Sequence, residues 1–240
     1  MNRYVWHAVL VALVAAGFLA TVGQAQDADK AKPAAKQSEA ETTIKVSVGE
    51  KAPDFLLTDT EGNEHRLSDY LKEDKSVVLE WFNPDCPFVK KHHKVNRSMA
   101  ETYALAEEND MVWLAINSGA PGKQGAGLER NKKARKDFEI AYPLLLDESG
   151  EVGRLYGAKT TPHMFLIDKE GILVYAGAID NAPNTKDLGK INYVKSAVAA
   201  CVTGEPNENT ITKPYGCSVK YAGPAKGKSE SKDSKSKDSD

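Results

Sequence analysis

The order of apolar and polar segments predicts an α/β fold in which helices flank a central mixed β-sheet. Apolar, strand-type runs alternate with helical segments in the order βαβα, and the rest of the chain continues as ββα. Parallel strands need crossover helices, whereas two strands joined by a short turn pair antiparallel. The sequence therefore predicts one sheet with a parallel portion and an antiparallel hairpin.

The individual elements follow from local periodicity and turn residues. Alternating or continuous apolar runs predict strands at Ile44–Val48, Ser76–Phe82, Asp110–Asn117, Met164–Asp168 and Ile172–Ala176, with a shorter extended piece at Tyr142–Asp147. Extended pieces joined by a hairpin at Glu61-Gly62-Asn63 are expected between the first two strands. Helical spacing predicts helices at Pro87–Asn109, Leu128–Phe138, Val152–Tyr156 and Asp187–Cys201.

Both ends of the chain are expected to lie outside the folded domain, which we predict to be residues 44–223. Residues 1–25 have a charged start, an apolar run and small residues at a cleavage site, as a signal peptide does. An uncleaved anchor is the alternative, although the run is shorter than the roughly 20 residues of a bilayer span. Residues 26–43 and 224–240 are polar and charged, and both are predicted to be disordered.

Composition limits the class of function. The net charge is −2 and no basic face is evident, so nucleic-acid binding is not predicted. The three cysteines are Cys86, Cys201 and Cys217. Export implies an oxidising compartment, and an odd cysteine count leaves at least one thiol unpaired, paired between chains, or reactive. No cysteine pair has zinc spacing and no stretch matches a nucleotide loop, so neither a metal nor a cofactor is predicted.

Cys86 lies where a predicted strand gives way to a helix, a position that favours chemistry over structure. Pro87 suits the first helical position, which places Cys86 at or next to the N-cap. Free N–H groups and the basic segment Lys90–Lys94 would stabilise a thiolate there, whereas Asp85 would oppose it. The alternatives are an inert core thiol or half-cystine, and a solvated basic face whose two histidines, at 92 and 93, are surface residues.

Thr161 and Pro162 form the second unusual segment. A proline directly before an apolar strand is tolerated at a strand start, and a cis Thr161–Pro162 bond would aim backbone groups at a neighbouring site. If the strand that follows runs antiparallel to Ser76–Phe82, Pro162 and Cys86 meet at one end of the sheet.

Three segments resemble the thioredoxin-fold redoxins, the superfamily of alkyl hydroperoxide reductase, thiol-specific antioxidant proteins and thioredoxin. VGEKAPDFLLTDTEGNEHRLSDY is similar to the redoxin entry motif, LEWFNPDCPFVKKHH to the active-site strand and helix, and TTPHMFLIDKEGILVYAGAID to the cis-proline hairpin. CPFVKKHH and the late GCSVKY resemble a peroxiredoxin-like group. The resemblance implies a thioredoxin-like fold with an N-terminal redoxin-type extension, Cys86 as nucleophile and Pro162 as the residue that shapes the substrate groove.

The chain also departs from this pattern. Val89 replaces the second cysteine of the thioredoxin Cys-x-x-Cys motif. Leu79 and Asn83 stand where peroxiredoxins carry the proline and threonine that position peroxide, which argues against efficient peroxidase activity.

We therefore expect an exported, periplasmic or extracellular thiol oxidoreductase that uses a single cysteine nucleophile at a helix start. Its substrate would be a thiol, a disulfide or a peroxide, with an electron donor that the sequence does not identify, and a membrane would be involved only if the signal is uncleaved. Cys217 is the candidate resolving thiol, and a Cys201–Cys217 disulfide is the rival pairing. The alternatives are a copper carrier that uses Cys86 with a histidine, and a binding domain without turnover.

Overall fold

The computed structural model describes residues 46–223, all of which belong to the compact unit Thr42–Asp240. The strands are β1 (Leu56–Asp59), β2 (Glu64–Arg66), β3 (Val77–Trp81), β4 (Val112–Asn117), β5 (Leu144–Leu146), β6 (Thr160–Thr161), β7 (His163–Ile167), β8 (Leu173–Gly177) and β9 (Cys217–Ser218). The helices are α1 (Leu67–Lys72), α2 (Pro87–Lys90), α3 (Ser98–Glu108), α4 (Leu128–Asp137), α5 (Glu151–Leu155) and α6 (Tyr193–Thr203), with a π-helical segment at Lys91–Val95.

Seven strands form one mixed sheet in the order β2-β1-β5-β4-β3-β7-β8. The pairs β3–β4 and β4–β5 are parallel, whereas β7 runs antiparallel to both β3 and β8. Trp81, the last residue of β3, pairs with His163, the first residue of β7. The predicted mixed sheet is confirmed, and its register brings the segment after β3 next to the segment before β7.

The central strand β3 is buried along its whole length, as expected of a strand with neighbours on both sides and helices on both faces. Val77, Leu79 and Trp81 pack into one hydrophobic cluster, whereas Val78 packs into the cluster on the opposite face. This alternation is the two-residue period of a strand. Glu80 is a charged side chain within the apolar run, and it is fully buried on the face of Val78.

The prediction of a single helix from Pro87 to Asn109 is wrong, because this part of the chain forms three separate helical segments. After α2 the chain widens into the π-helical segment Lys91–Val95, and Arg97 then adopts a left-handed conformation with φ 53°. A left-handed residue cannot continue a right-handed helix, so α3 starts anew at Ser98. The Asn96 side chain accepts a hydrogen bond from the Ser98 N–H at 3.2 Å, which stabilises this restart.

Three other elements differ from the prediction by more than two residues. Helix α1 was not predicted, because its first four residues, LSDY, lie at the end of a segment predicted to be extended. Helix α6 begins at Tyr193 rather than Asp187, because Asn192 caps it and accepts a hydrogen bond from the Lys195 N–H. In the described part of the predicted first strand, residues 46–48, no strand forms.

Several predictions lie outside residues 46–223: the signal peptide, the spacer and the charged tail. Within the described range, no helix combines the length and the apolar character needed to span a bilayer.

Candidate functional site

Cys86 is the N-cap residue of α2, and Pro87 occupies the first turn, as predicted. The Cys86 backbone is extended, with φ −75° and ψ 123°, and its carbonyl accepts the first helical hydrogen bond from the Lys90 N–H at 3.0 Å. The side chain is fully buried. The sulfur thus lies beyond the carboxyl end of β3, at the edge of the sheet where open α/β folds place their reactive groups.

The Cys86 thiol donates a hydrogen bond to the Thr161 carbonyl, with 3.0 Å between Sγ and the oxygen. The Thr161–Pro162 peptide bond is cis, as the resemblance to the cis-proline hairpin of the redoxins implies. The antiparallel pairing of β3 and β7 explains the contact, because Thr161 lies just before β7 and Cys86 lies just after β3. The structure therefore brings together three predicted site residues: Cys86, Thr161 and Pro162.

Cys217 joins the same site from the far end of the chain. Strand β9 pairs with β6 so that Thr161 faces Cys217 and Thr160 faces Ser218. Gly216 has a φ of 134°, and a Cβ atom built on it would lie 2.1 Å from the Thr161 oxygen. Glycine is required at this position, because only a residue without a side chain allows the strand to approach the Thr161 carbonyl so closely.

Both cysteines of the site lie against the same residue, Thr161. The pKa of Cys217 is raised to about 12, first by burial and then by its hydrogen bond to Cys86 and the negative charge of a Cys86 thiolate. Cys217 consequently keeps its proton at neutral pH.

The basic segment next to Cys86 contributes less positive charge than its sequence predicts. Lys91 is buried, and its Nζ lies 3.7 Å from Oδ2 of Asp180. His92 and His93 are also buried, so the prediction that they are surface residues is wrong. Burial lowers the pKa of His92 to about 4, which leaves its ring neutral at physiological pH.

The acidic neighbour of Cys86 is also compensated. The guanidinium of Arg130 donates two hydrogen bonds to Oδ1 of Asp85, at 2.6 and 3.2 Å. Both side chains are about one-third exposed, with relative areas of 31% and 32%. Arg130 therefore offsets part of the repulsion that Asp85 would exert on a Cys86 thiolate.

A second polar cluster lies behind the Cys86 helix and was not predicted. Buried Glu80 accepts hydrogen bonds from His93 Nε2 at 2.7 Å, from the Tyr142 hydroxyl at 2.9 Å and from Trp113 Nε1 at 3.3 Å. These three donors satisfy the carboxylate in the hydrophobic core. The one sequence signal for this cluster is the single charged residue within the apolar run SVVLEWF.

Cys201 lies away from the other two thiols. Its sulfur is 3.6 Å from the Ser76 hydroxyl, just before β3 begins, whereas Cys86 follows the end of β3. Burial raises the pKa of Cys201. All three thiols are free in the structure. The rival Cys201–Cys217 disulfide would have to join sulfurs that lie near opposite ends of β3.

Among residues 46–223, no group of three or more His, Cys, Asp or Glu side chains is arranged to hold a metal ion. The two histidines near Cys86 have other partners. His92 contacts the hydroxyl groups of Ser98 and Tyr215, and His93 contacts Glu80. Both ring nitrogens of His92 are engaged, so a copper site built from Cys86 and His92 would have to break a buried hydrogen bond.

Known proteins share this arrangement of elements. A family model described as the AhpC/TSA family matches residues 48–176. The thiol-disulfide oxidoreductase ResA of Geobacillus thermodenitrificans (strain NG80-2) is 36% identical over 126 residues, which are 52% of this chain and 66% of that protein. The match thus spans just under two thirds of the relative.

Two solved structures are similar over most of the chain. The hypothetical protein SMc02350 from Sinorhizobium meliloti 1021 has a TM-score of 0.64 at 31% identity, with 75% of this chain and 97% of that chain covered. An uncharacterized conserved protein from Geobacillus kaustophilus has a TM-score of 0.66 at 30% identity, with 75% and 94% covered.

The chain belongs to the AhpC/TSA family, because the family model matches more than half of its 240 residues. The resemblance predicted from the sequence is confirmed at this level, and so is the thioredoxin-like fold with its mixed sheet and flanking helices.

Proposed function

We propose that this protein is an exported thiol-disulfide oxidoreductase in which Cys86 is the nucleophile and Cys217 the resolving thiol. The observation that carries the proposal is that Thr161 lies against both cysteines: its carbonyl accepts a hydrogen bond from the Cys86 thiol at 3.0 Å, and it is the strand partner of Cys217. A strand pairing of two residues brings Cys217 there from a distant part of the chain. The distant thiol thus takes the place of the Cys-x-x-Cys partner, where this chain has Val89.

The chemistry follows from which thiol carries the charge. The Cys86 thiolate attacks one sulfur of a substrate disulfide, so a Cys86–substrate bond forms, the substrate S–S bond breaks and the first substrate thiolate leaves. Cys217 then loses its proton to that leaving thiolate and attacks the Cys86 sulfur. The second substrate thiolate leaves, and the protein retains a Cys86–Cys217 disulfide that a donor thiol must reduce.

Because Cys217 keeps its proton, the two exchange steps occur in a fixed order, with attack by Cys86 first. Because the pKa of Cys217 is raised to about 12, this thiol is a poor nucleophile in the resting site. Once Cys86 is bound in a mixed disulfide, its negative charge is gone, and one of the causes that raise the pKa of Cys217 is removed. Cys217 is therefore activated at the step where it is needed.

Disulfide exchange is favoured over peroxide reduction by the surroundings of Cys86. The Asn83 side chain donates to the Gln124 carbonyl at 3.0 Å and accepts from the Asp85 N–H at 2.8 Å, so its polar atoms are already engaged. Leu79 is buried in the core. Asn83 lacks the hydroxyl group, and Leu79 the proline ring, that the peroxiredoxin pattern places at these positions.

Access to Cys86 must also be explained, because its side chain is fully buried. Cys217 is half-buried and lies on the segment beside it. We propose that this segment moves aside when a substrate binds, which exposes Cys86 between Pro87 and the cis Pro162. The substrate groove would then be lined by these two prolines.

The relative that is named a thiol-disulfide oxidoreductase supports the same reaction class. Export is inferred from the signal-like residues 1–25 and would place the protein in the periplasm or outside the cell. Sequencing the N-terminus of the mature protein would test it: Gln26 is the expected first residue, and Met1 would point to an uncleaved anchor.

The proposed activity is tested by reducing a small aromatic disulfide, with a dithiol as electron donor. Cys86→Ser should abolish turnover. In a separate experiment without the dithiol, the reduced wild type should release two substrate thiols per protein, whereas Cys217→Ser should release one and keep a mixed disulfide on Cys86. Cys201→Ser is the matched control and should keep wild-type activity. Equal turnover by wild type and Cys86→Ser would refute the oxidoreductase hypothesis, and faster turnover of hydrogen peroxide than of the disulfide would refute the substrate class.

A further inference from the structure

We infer that Tyr215 is a positioning residue that fastens the Cys217 segment to the Cys86 helix. This inference rests on the proposed function, and it identifies what holds the resolving thiol in place. Tyr215 lies two residues before Cys217 and contacts Phe88, which lies two residues after Cys86. One side chain therefore joins the two segments that carry the reacting sulfurs.

Regular secondary structure alone does not hold the Cys217 segment. Strands β6 and β9 pair over only two residues, and a two-stranded ladder of that length is marginal in water. The Thr161 hydroxyl adds only a long hydrogen bond of 3.5 Å to the Cys217 carbonyl. After Cys217, backbone hydrogen bonds join the Val219 N–H to the Lys159 carbonyl at 3.1 Å and the Ala120 N–H to the Lys220 carbonyl at 2.9 Å. Before Cys217, the side chain of Tyr215 supplies the constraint.

The Tyr215 hydroxyl lies between two buried polar groups. It donates a hydrogen bond to Oδ1 of Asp180, and Nε2 of His92 lies 3.0 Å from the same hydroxyl oxygen. An ionised carboxylate can only accept, so the phenol proton points to Asp180 and His92 must donate from Nε2. Nδ1 of His92 then accepts from the Ser98 hydroxyl at 2.7 Å.

This direction of hydrogen bonds requires a neutral His92 and a protonated Tyr215. Burial lowers the pKa of His92 to about 4, so the neutral ring is the stable form. Burial and the hydrogen bond to Asp180 both raise the pKa of Tyr215. Every donor in the chain from Ser98 to Asp180 thus has an acceptor.

The side chain of Asp180 is held in place by other groups, so its hydrogen bond fixes the position of the Tyr215 hydroxyl. Its carboxylate accepts from the N–H groups of Ala182 and Gly189 at 2.9 and 2.8 Å, and Nζ of Lys91 lies 3.7 Å away. The same Nζ lies 5.4 Å from the centre of the Tyr215 ring. Lys91 belongs to the basic segment that follows Cys86, so it connects Asp180 and Tyr215 to the Cys86 helix.

The Tyr215 ring adds an apolar contact. It packs edge-on against Phe88, with 5.8 Å between ring centres. The motif CPFVKKHH therefore supplies three contacts to Tyr215, from Phe88, Lys91 and His92. This explains why a basic segment next to the nucleophile is buried: it binds the resolving segment rather than charging the thiolate.

The test is the equilibrium between the Cys86–Cys217 disulfide and glutathione, measured by acid quench and peptide mapping. Tyr215→Phe removes the hydroxyl and leaves the ring, and it should lower the equilibrium constant for the disulfide about tenfold, which corresponds to about 1.4 kcal/mol. Alkylation of Cys86 by iodoacetamide in the reduced protein should become several-fold faster. Tyr156→Phe is the matched control, because it removes a buried phenol hydrogen bond to the Pro53 carbonyl.

A second variant covers the case in which Tyr215→Phe folds poorly. Phe88→Leu removes the aromatic contact and keeps every hydrogen bond of the hydroxyl, and it should shift both readouts in the same direction by a smaller factor. If both variants match Tyr156→Phe within twofold, the positioning role is refuted. If the wild type itself forms no Cys86–Cys217 disulfide, the proposed function fails instead, so the two failures are distinguishable.

Discussion

Replacement of Gly216 by alanine would measure how closely the Cys217 strand must approach Cys86. Gly216 has a φ of 134°, a conformation that residues with a side chain rarely adopt. The added Cβ would lie 2.1 Å from the Thr161 oxygen and 2.8 Å from the Thr161 carbonyl carbon. Both are backbone atoms, so no side chain can rotate to relieve the contact.

The size of the effect follows from these distances. Real Cβ contacts are essentially never shorter than 3.0 Å, so the strand must retreat by at least 0.9 Å, the difference between 3.0 and 2.1 Å. The unfavourable φ adds about 1–3 kcal/mol of backbone strain. The equilibrium constant for an intramolecular disulfide against glutathione is an effective concentration of one thiol at the other, and a misplacement of about 1 Å can reduce such a proximity effect about 100-fold. We expect the equilibrium constant for the Cys86–Cys217 disulfide to fall between about 10-fold and 100-fold.

The assay is titration of the protein with glutathione redox buffers, followed by acid quench and peptide mapping. Gly204→Ala is the matched control, because Gly204 also has a positive φ, 72°, but no atom lies within 4 Å of the position that an added Cβ would take. The Gly204→Ala substitution strains the backbone but creates no steric clash, so it should leave the disulfide equilibrium unchanged.

An unchanged disulfide equilibrium in folded Gly216→Ala protein, equal to that of Gly204→Ala, would refute this reasoning. It would mean that disulfide formation does not need the close approach of Gly216 to Thr161.

Two further predictions concern the buried polar groups around the site. Glu80→Ala should lower the free energy of unfolding by about 3–5 kcal/mol, because it leaves His93, Trp113 and Tyr142 with buried donors and no acceptor. Urea titration measures this loss, and a change below about 1 kcal/mol would contradict it. Stability should also fall as the pH is lowered from 6.5 towards about 4, because the unfolded state binds the His92 proton before the folded state does. His92 contributes about 3 kcal/mol to this loss of stability. If the free energy of unfolding of His92→Gln falls with pH as steeply as that of the wild type in this window, the prediction is contradicted.

Local sequence patterns were sufficient for the reactive strand and helix. The run before Cys86 is apolar and β-branched, Pro87 suits a helix start, and both features appear where they were predicted. The meeting of Cys86 with Thr161 was also predictable, because it depends only on the antiparallel direction of β7 relative to β3. These features follow from strand order and period, which adjacent residues encode.

Features that depend on distant partners were not predictable. His92 and His93 lie in a basic segment that resembles a solvated face, yet their burial is stabilised by Tyr215 and Glu80. The break at Arg97 was missed because a left-handed conformation of a non-glycine residue leaves no clear sequence signal. In both cases the tertiary contacts outweigh the local pattern.

The role of Cys217 was only partly predictable from the sequence. Its position after the last helix made it a candidate, but the sequence left the Cys201–Cys217 pairing open. Two observations support the proposed pairing with Cys86: the missing side chain of Gly216 permits the approach to Thr161, and Cys201 lies beside Ser76.

A disulfide map of the oxidised protein tests the central claim most directly. The purified mature protein is oxidised with a small disulfide, digested without reduction and analysed by mass spectrometry. We predict an intramolecular Cys86–Cys217 peptide pair, with Cys201 recovered as a free thiol. A Cys201–Cys217 or Cys86–Cys201 pair, or Cys86 linked only between chains, would contradict the account.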